Sequence, residues 1–585
     1  MPESIFVTAE VNNKIMKPLP YEENYQRPYI SFEGHQFFIH ILAQNRLYDA
    51  LNFNIKLVPN GLDAIATELS FGNDTQRSTG SIQVKLRKKK NNDINWLVSA
   101  TSPRLIKGIK VEITDIPFEM LVNPFGQIIK IDDDSGYAAA FPAGAYPSRT
   151  LPTSGIKSNG SWLPWVAAQF IIIKSHDKTL LLRSEDYPPQ FKRYWLFRCD
   201  GKTDLIIYTE ANASERKKKY TTPVYFLENV NSLADGVNRH VAWMKNAYGL
   251  LPFDKRKDVP KWVKNICLNL NFHCHATDGV ILNTFSNIEE KIKQVAKFFD
   301  PHLTHIHIVG WDGQWDFTWP QLTPDKLLGG KQGLKQLVDT AHKLGYYLDL
   351  HMNVMGLSYS NPDFNQLKHF LEHQIRDSQD RRVNWEYDWD GDEVDEKIFA
   401  YISPDHKPWR KYLIGQIIGV VNEYHIDNVH LDQATTNIND SRHNHIRGLN
   451  SLFSELRREL PQDVVISGEG MSEPVMGLYP FATVIDKSDE PIVPQLLFQP
   501  FVRFFEYGYQ TEPGRSIWAN PWRKKKSGKE LWTPDPFYEN LKKVEKGELI
   551  PSLVFSNRSI RANTKEALAI YKVAERLRKK LGKQK

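Results

Sequence analysis

Up to about residue 250 the apolar residues come in short runs broken by turn residues, and few stretches hold a helical period. Runs at 111–116, 126–131, 170–175, 179–183, 193–198 and 204–209 read as strands in series, which predicts a β-sandwich. Segment 230–247 does hold the helical period, and the proline-bearing stretch 251–260 that follows marks a boundary. The domains are therefore expected at 1–255 and 256–585. Beyond Pro260 the rhythm becomes strand, loop, amphipathic helix, strand. Strands are expected at 266–272, 305–309, 346–354, 428–433 and 464–468, alternating with helices at 288–299, 333–344, 409–424 and 444–460. Residues 482–486 and 550–555 supply a sixth strand and a last one, and no segment stands out as the seventh. Alternation sustained over roughly 320 residues predicts a parallel (β/α)8 TIM barrel. A doubly wound open sheet is the second choice, but no glycine-rich phosphate fingerprint follows any strand to support it.

Alternate residues of a strand share a face. That parity groups Asn269, Asn271 and His273 on the first expected strand, Asp349, His351 and Asn353 on the third, His430 and Asp432 on the fourth, and Ser467 and Glu469 on the fifth. Four strands thus carry polar groups toward their C-terminal ends, where barrels of this kind build active sites. His305, His307 and His430 fit internal hydrogen-bonding layers. Asp432 and Glu469 differ: each stands where a strand stops and a loop begins, and a carboxylate buried without a partner is costly, so catalysis accounts for the pair better than packing does. Asp349 lies deeper, and sugar-hydroxyl binding and structural hydrogen bonding are equally open for it. Asp486, after the sixth strand, is expected to support the pair, with a role as the acid its alternative.

A second signal is the loop GWDGQWDFTWP at 310–320. Aromatic faces stack on the C–H faces of sugar rings, and interleaved Asp and Gln take hydroxyls. Trp311 and Asp312, nearest the strand, are the residues expected to touch substrate, while other aromatics of the loop cap the barrel. The acidic segment 385–396 suits a lid or wall, although a solvated insertion is the simpler reading.

Composition narrows the classes. A net charge of +6, with basic runs scattered at 87–90, 523–526 and 576–580, gives no nucleic-acid surface. No stretch stays apolar for the roughly 18 residues a membrane helix needs, and the opening residues lack the pattern of a secretory leader, so no membrane partner and a cytoplasmic location are expected. Cys199, Cys267 and Cys274 are too few for a disulfide framework, which agrees with a reducing compartment.

The motif NVHLDQ at 428–433, followed by ISGEG at 466–470, resembles the fourth- and fifth-strand motifs of retaining α-glycosidases, above all endo-α-N-acetylgalactosaminidases and their barrel relatives. The Trp311-Asp312 loop and the upstream YP at 146–147, WLPWVA at 162–167 and LLLRSED at 180–186 are similar to that group too. The resemblance implies an N-terminal β-sandwich, cleavage of an α-linked O-glycosidic bond in an oligosaccharide or glycoconjugate, Asp432 as nucleophile and Glu469 as acid/base. No cofactor or metal is expected, and the oligomeric state stays open. Two other readings compete. A metal-dependent barrel hydrolase would use His273 and His275 at the end of the first strand. A carbohydrate-binding protein without catalysis would keep the tryptophan loop and the sandwich.

Overall fold

The strand Ile94–Thr101 alternates buried and half-buried residues along its whole length, the mark of a sheet with one face on a core. Ile106–Ile113 lies between His35–Ala43 and Lys202–Glu210 and is almost wholly buried. These and their neighbours form one antiparallel set that closes over an apolar core containing Trp96, which stacks on Tyr225 at 5.4 Å. The computed structural model describes residues 10–11, 14–15, 27–72, 76–131, 135–142, 166–199, 201–388, 394–484, 488–506, 509–510, 517 and 537–583. Asp486, the YP motif and most of the WLPWVA motif lie outside them.

The second half is a parallel barrel. Its strands are β1 (Leu268–His273), β2 (Thr304–Val309), β3 (Tyr347–Asn353), β4 (Asn428–Asp432), β5 (Val465–Gly468), β6 (Phe481–Val484), β7 (Arg503–Glu506) and β8 (Ser552–Phe555). The order runs from β7 back to β1 and on to β8. The ring closes where Phe505 bridges Ile550 in parallel and Tyr509–Gln510 pairs with Leu553 and Val554. Every residue of β1, β2, β4, β5 and β8 is buried, as strands covered on both faces must be. Trp262 lies flat on Tyr347 (4.6 Å) and His305 (5.9 Å) and stops the N-terminal mouth. The expected β-sandwich and TIM barrel are both present, and the seventh strand is the tetrapeptide Arg503–Glu506.

Two additions shape the C-terminal mouth. Between β3 and the helix Lys407–Tyr424, the strands Gly356–Ser358, Glu396–Tyr401 and Asn384–Tyr387 form a small antiparallel sheet, so the acidic insertion is in part a folded wall. The loop after β5 reaches into the N-terminal half. There the fully buried Glu473 meets His240 Nε2 (2.9 Å) on the helix Leu233–Ala247 and accepts from Gln169 Nε2 (2.7 Å) and the Gln169 backbone N–H (2.9 Å). Lys192, itself buried, donates to Gln169 Oε1 (2.6 Å) and Asp186 Oδ2 (2.8 Å).

Candidate active site

Asp432 ends β4 and Glu469 follows the last residue of β5, so adjacent strands deliver the two carboxyl groups to one mouth. The backbone enforces this. Glu469 N–H donates to Leu431 O (3.0 Å), which locks β5 onto β4 up to its end. The chain then turns at Gln433, in the left-handed region at φ 57°, and its N–H points at Glu469 Oε2 (3.3 Å). A non-glycine residue held there costs about 1–3 kcal/mol, and such strain gathers at functional sites. On the other side Asn353, at the end of β3, donates through Nδ2 to Asp432 Oδ2 (2.8 Å), and His351 Nε2 stands 3.7 Å from Asp432 Oδ1.

The carboxyl groups of Asp432 and Glu469 are close enough to share a proton. Burial holds Glu469 well above the usual carboxylate range, and the neighbouring Asp432 pushes it further. Burial also raises Asp432, but there the hydrogen bonds from Glu469, Asn353 and the Gln433 backbone oppose the rise. The pair is therefore asymmetric, with Glu469 pushed further above the usual range than Asp432.

A third carboxyl joins them. Asp316, in the tryptophan loop and also left-handed (φ 68°), is buried and accepts from the indoles of Trp319 (3.2 Å) and Trp385 (3.1 Å). Burial and then the charge of Asp432 hold Asp316 well above the carboxylate range. Trp385 comes from the small sheet, is half-buried and stacks on Phe399 at 6.1 Å. Tyr401, from the same sheet, is buried beside Asp432, with its hydroxyl toward the Gln433 side chain. Sequence parity could not reach Asp316, Trp385 or Tyr401, since all three arrive from outside the barrel strands.

The other expected residues divide. His351 and Asn353, expected to bind substrate, stand beside Asp432. Asp349 lies at the barrel centre between His307 Nδ1 (2.6 Å) and His305 Nε2 (3.2 Å) and takes a further bond from Asn428 (2.9 Å). Burial would raise it, but the two histidines outweigh that and hold it well below the carboxylate range. Trp311 needs correcting as a stacking platform: its ring is wholly buried and its indole N–H is spent on His351 O (2.9 Å), so it caps the barrel. Asp312 is buried, and burial, with the charges of Asp325 and Asp316 adding to it, holds its carboxyl well above the usual range. His273 and His275 do not converge: His275 Nδ1 pairs with Asp325 (2.6 Å), whereas His273 Nδ1 accepts from the Ile517 backbone N–H (3.2 Å). The histidines that do converge are His307, His351 and His430, each offering a nitrogen within 4.8 Å of the others.

The family described as a domain of unknown function (DUF6259) matches residues 232–510. No curated protein matches the chain. Among solved structures, α-N-acetylgalactosaminidase NagBb from Bifidobacterium bifidum in its GalNAc complex is 12% identical, with a TM-score of 0.65 over 94% of this chain and 90% of that one. Its Gal-NHAc-DNJ complex gives 0.65 at 12% identity over 98% and 93%. The α-galactosidase AgaA from Geobacillus stearothermophilus gives 0.50 at 9% over 93% and 76%. At these identities the likeness is one of fold: over nearly its whole length this chain has the architecture of an α-glycoside hydrolase, a β domain followed by a barrel.

Proposed function

We propose that the chain is a retaining glycosidase acting on an α-linked O-glycoside, with Asp432 as nucleophile and Glu469 as general acid and then base. The observation that carries this reading is the proximity of the two carboxyl groups on adjacent strand ends, close enough to share a proton. Retaining pairs stand about 5–5.5 Å apart and inverting pairs about 6.5–9.5 Å, leaving room for a water, and a pair within hydrogen-bond reach favours the former. Asn353 holds one oxygen of Asp432 and leaves the other to attack the anomeric carbon. As the new ester bond forms, the bond to the departing oxygen breaks and that oxygen takes the Glu469 proton. Glu469, now ionised, removes a proton from water, whose oxygen displaces Asp432 and restores both groups.

Around this pair Asp316 suits a sugar hydroxyl and the half-exposed Trp385 offers a ring face. The shared fold with an enzyme solved bound to GalNAc makes α-linked N-acetylgalactosamine and galactose, in an oligosaccharide or glycoconjugate, the first substrates to test. The test is a screen of aryl α- and β-glycosides of N-acetylgalactosamine, galactose and glucose, followed by NMR of the first-formed anomer. An α product from an α substrate is expected. Asp432→Asn should abolish turnover, and Glu469→Gln should lose activity mainly on poor leaving groups and regain some with azide. First release of the opposite anomer, or unimpaired turnover by Asp432→Asn, overturns the assignment.

A further inference from the structure

Beneath the carboxyl pair three successive strands turn a histidine toward one point: His307 from β2, His351 from β3 and His430 from β4, all fully buried. Their rings form a tight triangle, with centroids 4.6 Å apart for His307 and His430, 5.0 Å for His351 and His430, and 5.3 Å for His307 and His351. We propose that these three imidazoles form a binding site for a divalent first-row transition ion, zinc foremost, set in the barrel directly below Asp432. The inference is independent of the glycosidase reading.

Four observations converge. The first is spacing: His307 Nε2 and His351 Nδ1 are 3.3 Å apart, the edge of a tetrahedron with metal–nitrogen bonds of about 2.0 Å. The second is an orphan. His430 Nε2 is buried and has no hydrogen-bond partner among the described residues, a costly state that a metal bond relieves. The third is orientation by outer partners. His307 donates its other N–H to Asp349 (2.6 Å), and His430 Nδ1 pairs with Ser467 Oγ (2.8 Å), the carboxylate and hydroxyl contacts that fix the tautomer of a ligating imidazole. The fourth is charge. A dication in a dry interior needs two negative groups, and Asp349 and Asp432 flank the triad, one against His307 and the other 3.7 Å from His351. Three neutral nitrogens select zinc and its neighbours over calcium or magnesium, which take oxygen. With Nδ1 of His351 on the ion, its Nε2 must carry a proton, and that N–H faces Asp432 Oδ1 across 3.7 Å.

The test uses the full chain purified without a metal-affinity step. Elemental analysis should find about one zinc or similar ion per chain. Where growth conditions leave the site bare, dialysis against a chelator and titration with Zn2+ should give one-site binding and a raised melting temperature, while Mg2+ and Ca2+ do neither. Co2+ should produce visible absorption bands. His430→Ala should abolish that binding with its circular dichroism unchanged, and if this variant does not fold, the wild-type titrations decide alone. No ion in the purified chain together with no uptake of Zn2+ or Co2+ overturns the site, as does a folded His430→Ala that keeps wild-type metal content. None of these readouts needs a substrate, so a failure to find hydrolysis leaves the test intact.

Discussion

At the scale of single residues the site is a contest for protons. Three carboxyl groups, Asp316, Asp432 and Glu469, crowd one mouth, and all are pushed above the ordinary range, Asp432 least because it receives hydrogen bonds from two neighbouring side chains. The sign of the pH dependence follows. Below the acid limb Asp432 is protonated and cannot attack, and above the alkaline limb Glu469 is ionised and cannot donate. The profile of kcat/KM should be a bell with its acid limb above about pH 4 and its alkaline limb higher still. A rate that keeps rising as the pH falls below 4, about the value of a free Asp, would contradict the assignment. Parity along the strands made Asp432, Glu469, His351 and Asn353 legible, because a strand of period two writes its inward face directly into the sequence. It misjudged Trp311, whose place next to β2 reads as exposure at the mouth but is burial under it. Asp316 stands five residues further on, and nothing in the local sequence says that a left-handed turn brings it back over Asp432.

At the scale of elements, the strands that were legible are those whose apolar residues recur at every second position, as in β1 to β4, or run together, as in β5 and β8. β7 was not, because its four residues RFFE carry a charge at each end and follow the six-residue helix Ile492–Leu497 instead of a full amphipathic one. The small sheet between β3 and the next helix was hidden for a different reason: two of its strands have only three and four residues, and its pairing is long-range. That sheet now supplies the only half-exposed tryptophan among the site residues described above. Trp385→Ala should therefore weaken substrate binding by about 1–3 kcal/mol, seen as a raised KM, with little change in the melting temperature. Trp311→Ala should do the reverse and cost about 3–5 kcal/mol of stability in a denaturant titration. Equal effects of the two changes on KM would restore Trp311 as a sugar contact.

At the scale of the whole molecule the two halves share their interior. One apolar cluster runs from Phe170, Ile172 and Leu181 of the β domain through Val237 and Met244 into the barrel core, and the buried Glu473, His240, Gln169 and Lys192 cross the same boundary. Cutting there would leave Glu473 without its donors, and breaking a buried charged group from its partner costs about 3–5 kcal/mol. Calorimetry of the full chain should show one transition, and Glu473→Ala should lower it without splitting it. Two well-separated transitions would show that the halves unfold independently.

The strand ladder of the barrel is uneven around its circumference. β1 faces β2 through six residue pairs and β3 faces β4 through five, whereas β5 meets β6 through only two, Ser467 with Phe481 and Gly468 with Ala482. Asp432 thus hangs from the densely knitted arc and Glu469 borders the thin one. Deuterium should enter the amides of β5 and β6 through local breathing while those of β3 and β4 wait for larger openings. The two carboxyl groups are hydrogen-bond neighbours, so a sugar entering between them as proposed needs room on one side. On the proposed roles, the thinner seam lies beside the proton carrier and the attacking oxygen hangs from the more closely paired arc.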